Sequence, residues 1–425
     1  MIKKTIYLFL LIILFTGQYS LAASLSMGER VKLNSIHLNE EREIQILLPE
    51  NYQSNMGATY PVIYLLDGDY TLHGVSGMLD FLANKAQLIP DVILVGIADK
   101  GTDVYRQYMT PAGLTAPFKK EHGGKAELFL TFLEKELKPY INSHYRAANN
   151  SILVGHSMGG LFVLNALLES PNAFEHFVSI SPSVWLNDHE IMVKAKDFIG
   201  KSKHDLTSLY LSLGDEERQG VYGVLQLLDE SQPKNINWQF SHYPNENHNS
   251  VGLVALRADL KKIFKAWFIS DKKLERSMTA EQLLAHYQSL SSSLAINQPI
   301  PTSSVKSAIR YFYRQEKVAD IPVFMAKVKK ELPASEQAFI MMLASYTGHY
   351  DSPEAALKIL QGAESRFEHS IEYIKSMAVT YMQLNNTEMA ISYYAKALTL
   401  VKEYKANQWQ INIIDAKLLE LKAQP

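Results

Sequence analysis

The sequence predicts an α/β protein, a doubly wound and mostly parallel sheet with helices on both faces, followed by an all-helical domain. Three observations carry that prediction. From about Ser26 to Ile269, short β-branched-rich apolar runs alternate with amphipathic stretches of helical period, the pattern of buried parallel strands with helices packed over them. Inside that region Ser151-Ile152-Leu153-Val154 runs into Gly155-His156-Ser157-Met158-Gly159-Gly160 and then into an apolar helix. Beyond Pro301 the chain reads as helix, with a repeat of about 34 residues.

Taken in order, the chain begins with Lys3 and Lys4, the apolar stretch Ile6 to Phe15, and small residues at Ser20-Leu21-Ala22, the layout of a secretory signal peptide over 1–22 with cleavage near Ala22. That apolar stretch is short for a bilayer span, and no cysteine is present for lipid attachment. A periplasmic or secreted protein without a stable membrane anchor is therefore expected. The strands expected next are Glu43 to Leu48, Pro61 to Leu66, Val92 to Ile97, the run before Gly155, His176 to Ile180, Leu209 to Leu213 and Trp238 to Tyr243. Amphipathic helices are expected at Lys125 to Ile141 and Val251 to Phe268. The predicted division is an α/β domain over 26–270, a linker and connecting helix over 271–302, and helical repeats over 303–425. A chain of 425 residues with 47% hydrophobic content has ample material for two cores.

Composition narrows the chemistry. Zero cysteines exclude disulfides, thiolate catalysis and cysteine-ligated metals, so a nucleophile must be oxygen. A formal net charge of -2 with mixed signs leaves no electrostatic footprint for nucleic acid, which points to small molecules or proteins as partners. Nothing in the sequence implies a cofactor or a metal.

Gly-x-Ser-x-Gly between an apolar strand and an apolar helix is the pattern of a nucleophile elbow. The serine sits in a strained turn, and side chains two residues to either side of it would collide with the neighbouring strand or helix. Ser157 is the candidate nucleophile; the plainer reading is a helix-capping serine. Such a serine needs a base and an acid from loops after later strands, in the chain order serine, acid, histidine. This arrangement is α/β-hydrolase architecture.

Among the histidines, His248 alone occupies a loop after a late strand, within Pro244-Asn245-Glu246-Asn247-His248-Asn249-Ser250. His156 lies beside the nucleophile and is expected to point away from it. His242 falls within a strand, and His189 and His204 precede the acid loop. That loop, Gly214-Asp215-Glu216-Glu217, offers three adjacent carboxylates, of which Glu217 ranks first and Asp215 next; a dyad without an acid also remains open. Donors for the tetrahedral oxyanion are expected from the backbone N–H of Met158 and, from the loop Leu65-Leu66-Asp67-Gly68-Asp69-Tyr70, that of Asp69. His122-Gly123-Gly124 imitates an oxyanion triplet but precedes the helix leading to the elbow, and reads as a loop.

Four segments carry a family resemblance: Pro61-Val62-Ile63-Tyr64-Leu65-Leu66-Asp67-Gly68, Arg106-Gln107-Tyr108-Met109-Thr110-Pro111, Gly155 to Gly160, and Ser181-Pro182-Ser183-Val184-Trp185. Through them nearly all of the first domain resembles the putative-esterase family of α/β-hydrolases. That family includes siderophore esterases of the ferric-enterobactin type, feruloyl esterases, S-formylglutathione hydrolases and mycolyltransferases. The resemblance implies a serine esterase working through an acyl-enzyme, on siderophore-type or feruloyl-type esters. It also implies Glu217 as the acid, because in the family that residue commonly stands three places after the strand-terminal glycine, here Gly214. Met109 departs from the acidic residue usual before the Thr-Pro, and some members work with serine and histidine alone. Acyl transfer to an alcohol would use identical residues. A different class of function would make the repeats a protein-interaction module on an inactive hydrolase scaffold.

The second region follows Ser289-Leu290-Ser291-Ser292-Ser293 and Pro299-Ile300-Pro301, read as linker or loop. The repeat aligns Ile340 with Ile374, Leu343 with Met377, Ala344 with Ala378, Ala356 with Ala390, Leu360 with Tyr394 and Ala363 with Ala397. Small residues at helix crossings with larger ones between them resemble tetratricopeptide repeats, starting with a degenerate unit near Ser303. Such units serve either as a helical cap that stabilises the hydrolase or as a groove for a protein partner.

Overall fold

The structure is a computed structural model and describes residues 28–53, 55–111, 124–201, 206–404 and 408–423. The signal-peptide segment, His204 and most of the His122-Gly123-Gly124 loop lie outside the described residues.

Among the described residues between 28 and 270, one sheet of eight strands runs in the order β1-β2-β4-β3-β5-β6-β7-β8. The strands are β1 (Glu29–Ser35), β2 (Glu40–Leu47), β3 (Tyr60–Leu65), β4 (Ile93–Ile97), β5 (Ala147–His156), β6 (His176–Ile180), β7 (Thr207–Leu213) and β8 (Ile236–His242). β1 pairs with β2 and β2 with β4 antiparallel; from β4 to β8 every pairing is parallel. All residues of β3 and β4 are buried, as strands covered on both faces must be. Along β3 the side chains alternate: Val62 and Tyr64 enter the core with Phe129, Phe132 and Phe162, while Ile63 and Leu65 enter the opposite core with Val251, Leu256 and Leu260. The predicted strands recur within a few residues of their expected bounds. β1 was not among the expected strands: its apolar signal is confined to Val31 and Leu33, half-buried against the core and alternating with exposed Arg30, Lys32 and Asn34 at the sheet edge.

The helix expected from Lys125 runs from Ala126 to His144 with a wider π turn at Leu133–Leu137, just before Pro139, whose missing N–H leaves one carbonyl without its usual donor. The last helix of the α/β layer is Val251–Ile263. No helix among the described residues is long and apolar enough to cross a membrane.

From Asp271 onward the described chain is all helix and short connections. The serine-rich run 289–293 is not a linker: it lies inside the helix Ala280–Leu294. A capping box starts that helix, with Thr279 Oγ1 accepting from the Gln282 N–H and Gln282 Oε1 from the Thr279 N–H. Leu283, Leu284 and Tyr287 then bury themselves against the sheet-side core, which overrides the loop preference of serines on the outward side. Ile309, Phe312, Phe324 and Phe339 join the same cluster, so the first helices of the second region share a core with the hydrolase sheet. Gln298, 4% exposed, fastens the connection: its amide donates to the Thr59 and Asp91 carbonyls at 3.0 and 2.8 Å and its Oε1 accepts the Asp91 N–H at 2.9 Å.

The residues aligned by the repeat occupy matching helices. Ile340 and Ala344 lie on Glu336–Tyr350 as Ile374 and Ala378 lie on Ile371–Gln383; Ala356 and Leu360 lie on Pro353–Gln361 as Ala390 and Tyr394 lie on Thr387–Glu403. Ile340, Ala344, Ala356, Leu360, Ile374, Ala378, Ala390 and Tyr394 pack into a second core, while Leu343 packs against the sheet-side cluster.

Candidate active site

β5 ends at His156 and the helix Met158–Glu169 starts one residue after Ser157, which turns between them at φ 57° and ψ −115°. That conformation is costly for an L-residue and persists because both sides of the turn are packed. A Cβ on Gly155 would stand 2.3 Å from the Gly159 carbonyl oxygen, and one on Gly160 would stand 3.0 Å from the Ile180 carbonyl oxygen. Ser157 makes no side-chain cap to the helix, so the plain capping reading does not hold. Gly155→Ala is expected to destabilise the fold by on the order of 3 kcal/mol, since the clash is with backbone. Thermal unfolding followed by circular dichroism checks it; a midpoint equal to wild type would contradict the packing described.

The freed hydroxyl meets an imidazole. Ser157 Oγ lies 2.9 Å from His248 Nε2. His248 stands between β8 and the helix Val251–Ile263, in a loop built by Asn247, whose side-chain oxygen accepts the N–H groups of Asn249 and Ser250 at 2.9 and 3.1 Å. Ser250 Oγ in return accepts the Asn247 N–H at 3.0 Å.

On the far side of the ring, His248 Nδ1 lies 2.5 Å from Oε2 of Glu216, not from Glu217. The reason is the tightness of the turn after β7. The Asp215 N–H is held by the Glu246 carbonyl at 2.7 Å and the Glu216 N–H folds back onto the Gly214 carbonyl at 2.9 Å. This aims Glu216 inward, with a side chain 9% exposed. Glu217 opens the next turn, Glu217–Gln219, and it and Asp215 are exposed.

A second correction concerns His156. Its ring does not point away but lies against His248, with centroids 4.6 Å apart, and it hydrogen-bonds the His248 backbone. Burial, reinforced by the neighbouring imidazole, pushes its pKa down to about 4, so it stays neutral where a histidine base works. The Ser181-Pro182-Ser183 turn after β6 also reaches the site, as Ser181 Oγ donates to Glu216 Oε1 at 2.9 Å and Ser183 Oγ lies 3.3 Å from Ser157 Oγ. The sequence assigns that segment a family resemblance and no role.

The loop after β3 packs on the elbow: a Cβ on Gly159 would lie 3.1 Å from the Tyr105 hydroxyl, 3.4 Å from Asp67 Oδ2 and 3.5 Å from Leu66 Cβ. Met158 is the first residue of its helix and Asp69 lies in the first turn of Gly68–Asp80, where backbone N–H groups lack intrahelical acceptors. The Asp69 carboxylate is engaged elsewhere, accepting from Gln45 Nε2 at 2.6 Å and the Asp99 N–H at 3.1 Å. Burial, with Asp99 adding to it, lifts Asp67 to about 7 against the opposing pull of the Tyr105 hydroxyl. Among the described residues no cluster of His, Asp and Glu has the makings of a metal site.

A serine hydroxyl in a strained strand-to-helix turn, facing a histidine beyond the last parallel strand, is the arrangement of a serine hydrolase of the α/β-hydrolase fold. Within that class the chain belongs to the family described as "Putative esterase", whose model matches residues 35–243. It is a carboxylic ester hydrolase. The chain is 29% identical over 252 residues to the ferri-bacillibactin esterase BesA of Bacillus subtilis, an alignment covering 53% of this chain and 85% of the relative. It is 31% identical over 200 residues to a siderophore triacetylfusarinine C esterase of Aspergillus fumigatus, covering 44% and 67%. Among solved structures it is similar to an IroE-like serine hydrolase from Shewanella oneidensis, with 26% identity, a TM-score of 0.59, and coverage of 73% of this chain and 99% of that one.

Proposed function

We propose that this protein is an exported esterase that cleaves the ester bonds of siderophores through Ser157, His248 and Glu216. The observation that carries the reading is the continuous contact from Ser157 Oγ to His248 Nε2 at 2.9 Å and from His248 Nδ1 to Glu216 at 2.5 Å. Glu216 accepts the Nδ1 hydrogen, which leaves Nε2 as the acceptor for the serine proton. Oγ attacks the ester carbonyl as its proton passes to Nε2; the tetrahedral oxyanion is met by the Met158 N–H and a donor from the first turn after β3, with Asp69 the nominee. The imidazolium then protonates the leaving alkoxide, and water deprotonated by the same histidine releases the acid from the acyl-enzyme.

The siderophore assignment is supported by relatives named for siderophore esters that align over most of the catalytic domain. Export is supported by the Lys3-Lys4, apolar and Ser20-Leu21-Ala22 pattern. The tetratricopeptide-like helices act as a brace, supported by the core that Ile309, Phe312 and Phe324 share with β3 and β5. The test is a panel of ferric and iron-free siderophore esters beside feruloylated sugars, scored by mass spectrometry. Siderophore products heavier by one water per opened bond are expected. Cleavage of the feruloylated sugars alone would overturn the substrate assignment.

A further inference from the structure

We propose that the turn Ser181-Pro182-Ser183 belongs to the catalytic apparatus, with Ser183 donating a hydrogen bond to the nucleophile oxygen and Ser181 holding the carboxylate that orients the base. The inference rests on the esterase reading above and adds two residues to that same site.

The turn leaves β6, the neighbour of the elbow strand, in an unusual conformation. Ser181 is fully buried and has φ 40°, a left-handed backbone that a non-glycine residue adopts only when its surroundings impose it. Its hydroxyl is what the conformation positions. Ser181 Oγ accepts the Gly214 N–H at 3.2 Å and donates to Glu216 Oε1 at 2.9 Å, while its own N–H is held by the Ser212 carbonyl at 2.8 Å. One hydroxyl therefore ties the acid loop to its carboxylate, leaving the other carboxylate oxygen for His248.

Two residues on, the Ser183 N–H donates to the Ser157 carbonyl at 3.0 Å, and its hydroxyl, on a residue 2% exposed, stands 3.3 Å from Ser157 Oγ. The direction of that contact follows from the rest of the chain of groups. With the Nδ1 hydrogen committed to Glu216, Nε2 accepts the Ser157 hydrogen; the Ser157 oxygen is then the acceptor, and Ser183 is the donor. A separation of 3.3 Å is long for a resting O–H···O contact, and it strengthens when the acceptor gains negative charge. That occurs twice per turnover. In acylation the Ser157 O–H bond breaks, its proton passes to Nε2 and the Oγ–C bond forms. In deacylation Oγ departs with the electron pair of that bond and recovers a proton from the imidazolium. Ser183 keeps its own proton throughout. A donor stronger in the transition state than in the ground state raises turnover rather than affinity.

The test uses full-length protein, p-nitrophenyl acetate, and active sites counted by fluorophosphonate labelling, with Ser183→Ala, Ser183→Cys, Ser181→Ala and Ser181→Gly. Ser183→Ala is expected to lower kcat per counted site about tenfold with KM within about twofold of wild type. Ser183→Cys, which keeps a weak donor, falls between. Ser181→Ala and Ser181→Gly are expected to lose turnover alike, although the glycine variant melts at a higher temperature because φ 40° suits it. A kcat per site within twofold of wild type for Ser183→Ala overturns the donor role. Turnover that returns along with stability in Ser181→Gly overturns the positioning role. Wild-type turnover that survives Ser157→Ala overturns the esterase reading itself, a result separable from the other two.

Discussion

Ser157→Ala and His248→Ala proteins are each expected to hydrolyse short acyl p-nitrophenyl esters at least ~10³-fold more slowly than wild type. In the proposed mechanism the serine oxygen is the atom that becomes covalently bound, and among the described residues Ser157 supplies the hydroxyl that meets His248 Nε2, at 2.9 Å. Ser183 Oγ is 3.3 Å from the nucleophile, but its route to the imidazole passes through Ser157. Alanine at 157 keeps the elbow, because the turn is imposed by Gly155 and Gly160 against their neighbours and by the Ser157 N–H bond to the Ile180 carbonyl at 2.9 Å, which a new side chain does not touch. His248 is also dispensable for the fold, since Asn247 and Ser250 shape its loop. Both variants are therefore expected to melt within a few degrees of wild type, separating loss of chemistry from loss of structure. Initial rates, thermal melts and fluorophosphonate labelling on the same preparations check this. Retained hydrolysis by Ser157→Ala at wild-type melting temperature would remove the nucleophile from this account.

The parts of the fold and site that were legible in the sequence are those governed by local rules. Gly155, Ser157 and Gly159 stand at fixed offsets around a buried strand, and His248 follows an apolar run with turn residues on both sides, so composition alone places both after strand ends. What escaped depends on contacts made across the chain. The choice of Glu216 over Glu217 is a difference of one residue in a turn whose geometry is set by Asp215 bonding to the Glu246 carbonyl. His156 was expected to turn away from the nucleophile, yet its ring rests on that of His248, a contact between residues far apart in the chain that no local pattern announces. The serines of 289–293 read as a break because serine competes for backbone hydrogen bonds in short segments. In the structure Leu284 and Tyr287 on the inward face outweigh that preference. β1 was missed because an edge strand paired with β2 alone shows only two apolar positions, Val31 and Leu33, between exposed Arg30, Lys32 and Asn34, too short an alternation to stand out.

Glu216→Gln is expected to lower kcat about 10²- to 10³-fold with KM nearly unchanged, while Glu217→Gln and Asp215→Asn stay within about twofold of wild type. Glutamine preserves the shape of the side chain and can still accept from Ser181 Oγ. What changes is the group facing His248 Nδ1. A carboxylate oxygen can only accept, which holds the hydrogen on Nδ1 and leaves Nε2 as a base; an amide can present N–H instead, which favours the tautomer with hydrogen on Nε2, where Ser157 needs an acceptor. The amide also lacks the negative charge that stabilises the imidazolium as it forms. Glu217 and Asp215 are exposed, and no such choice depends on them. Steady-state kinetics on the three variants decide the assignment. Slowing confined to Glu217→Gln would return the acid to the position the family spacing implies, and three unaffected enzymes would mean that Ser157 and His248 act as a dyad, with Glu216 contributing only to the packing of the loop.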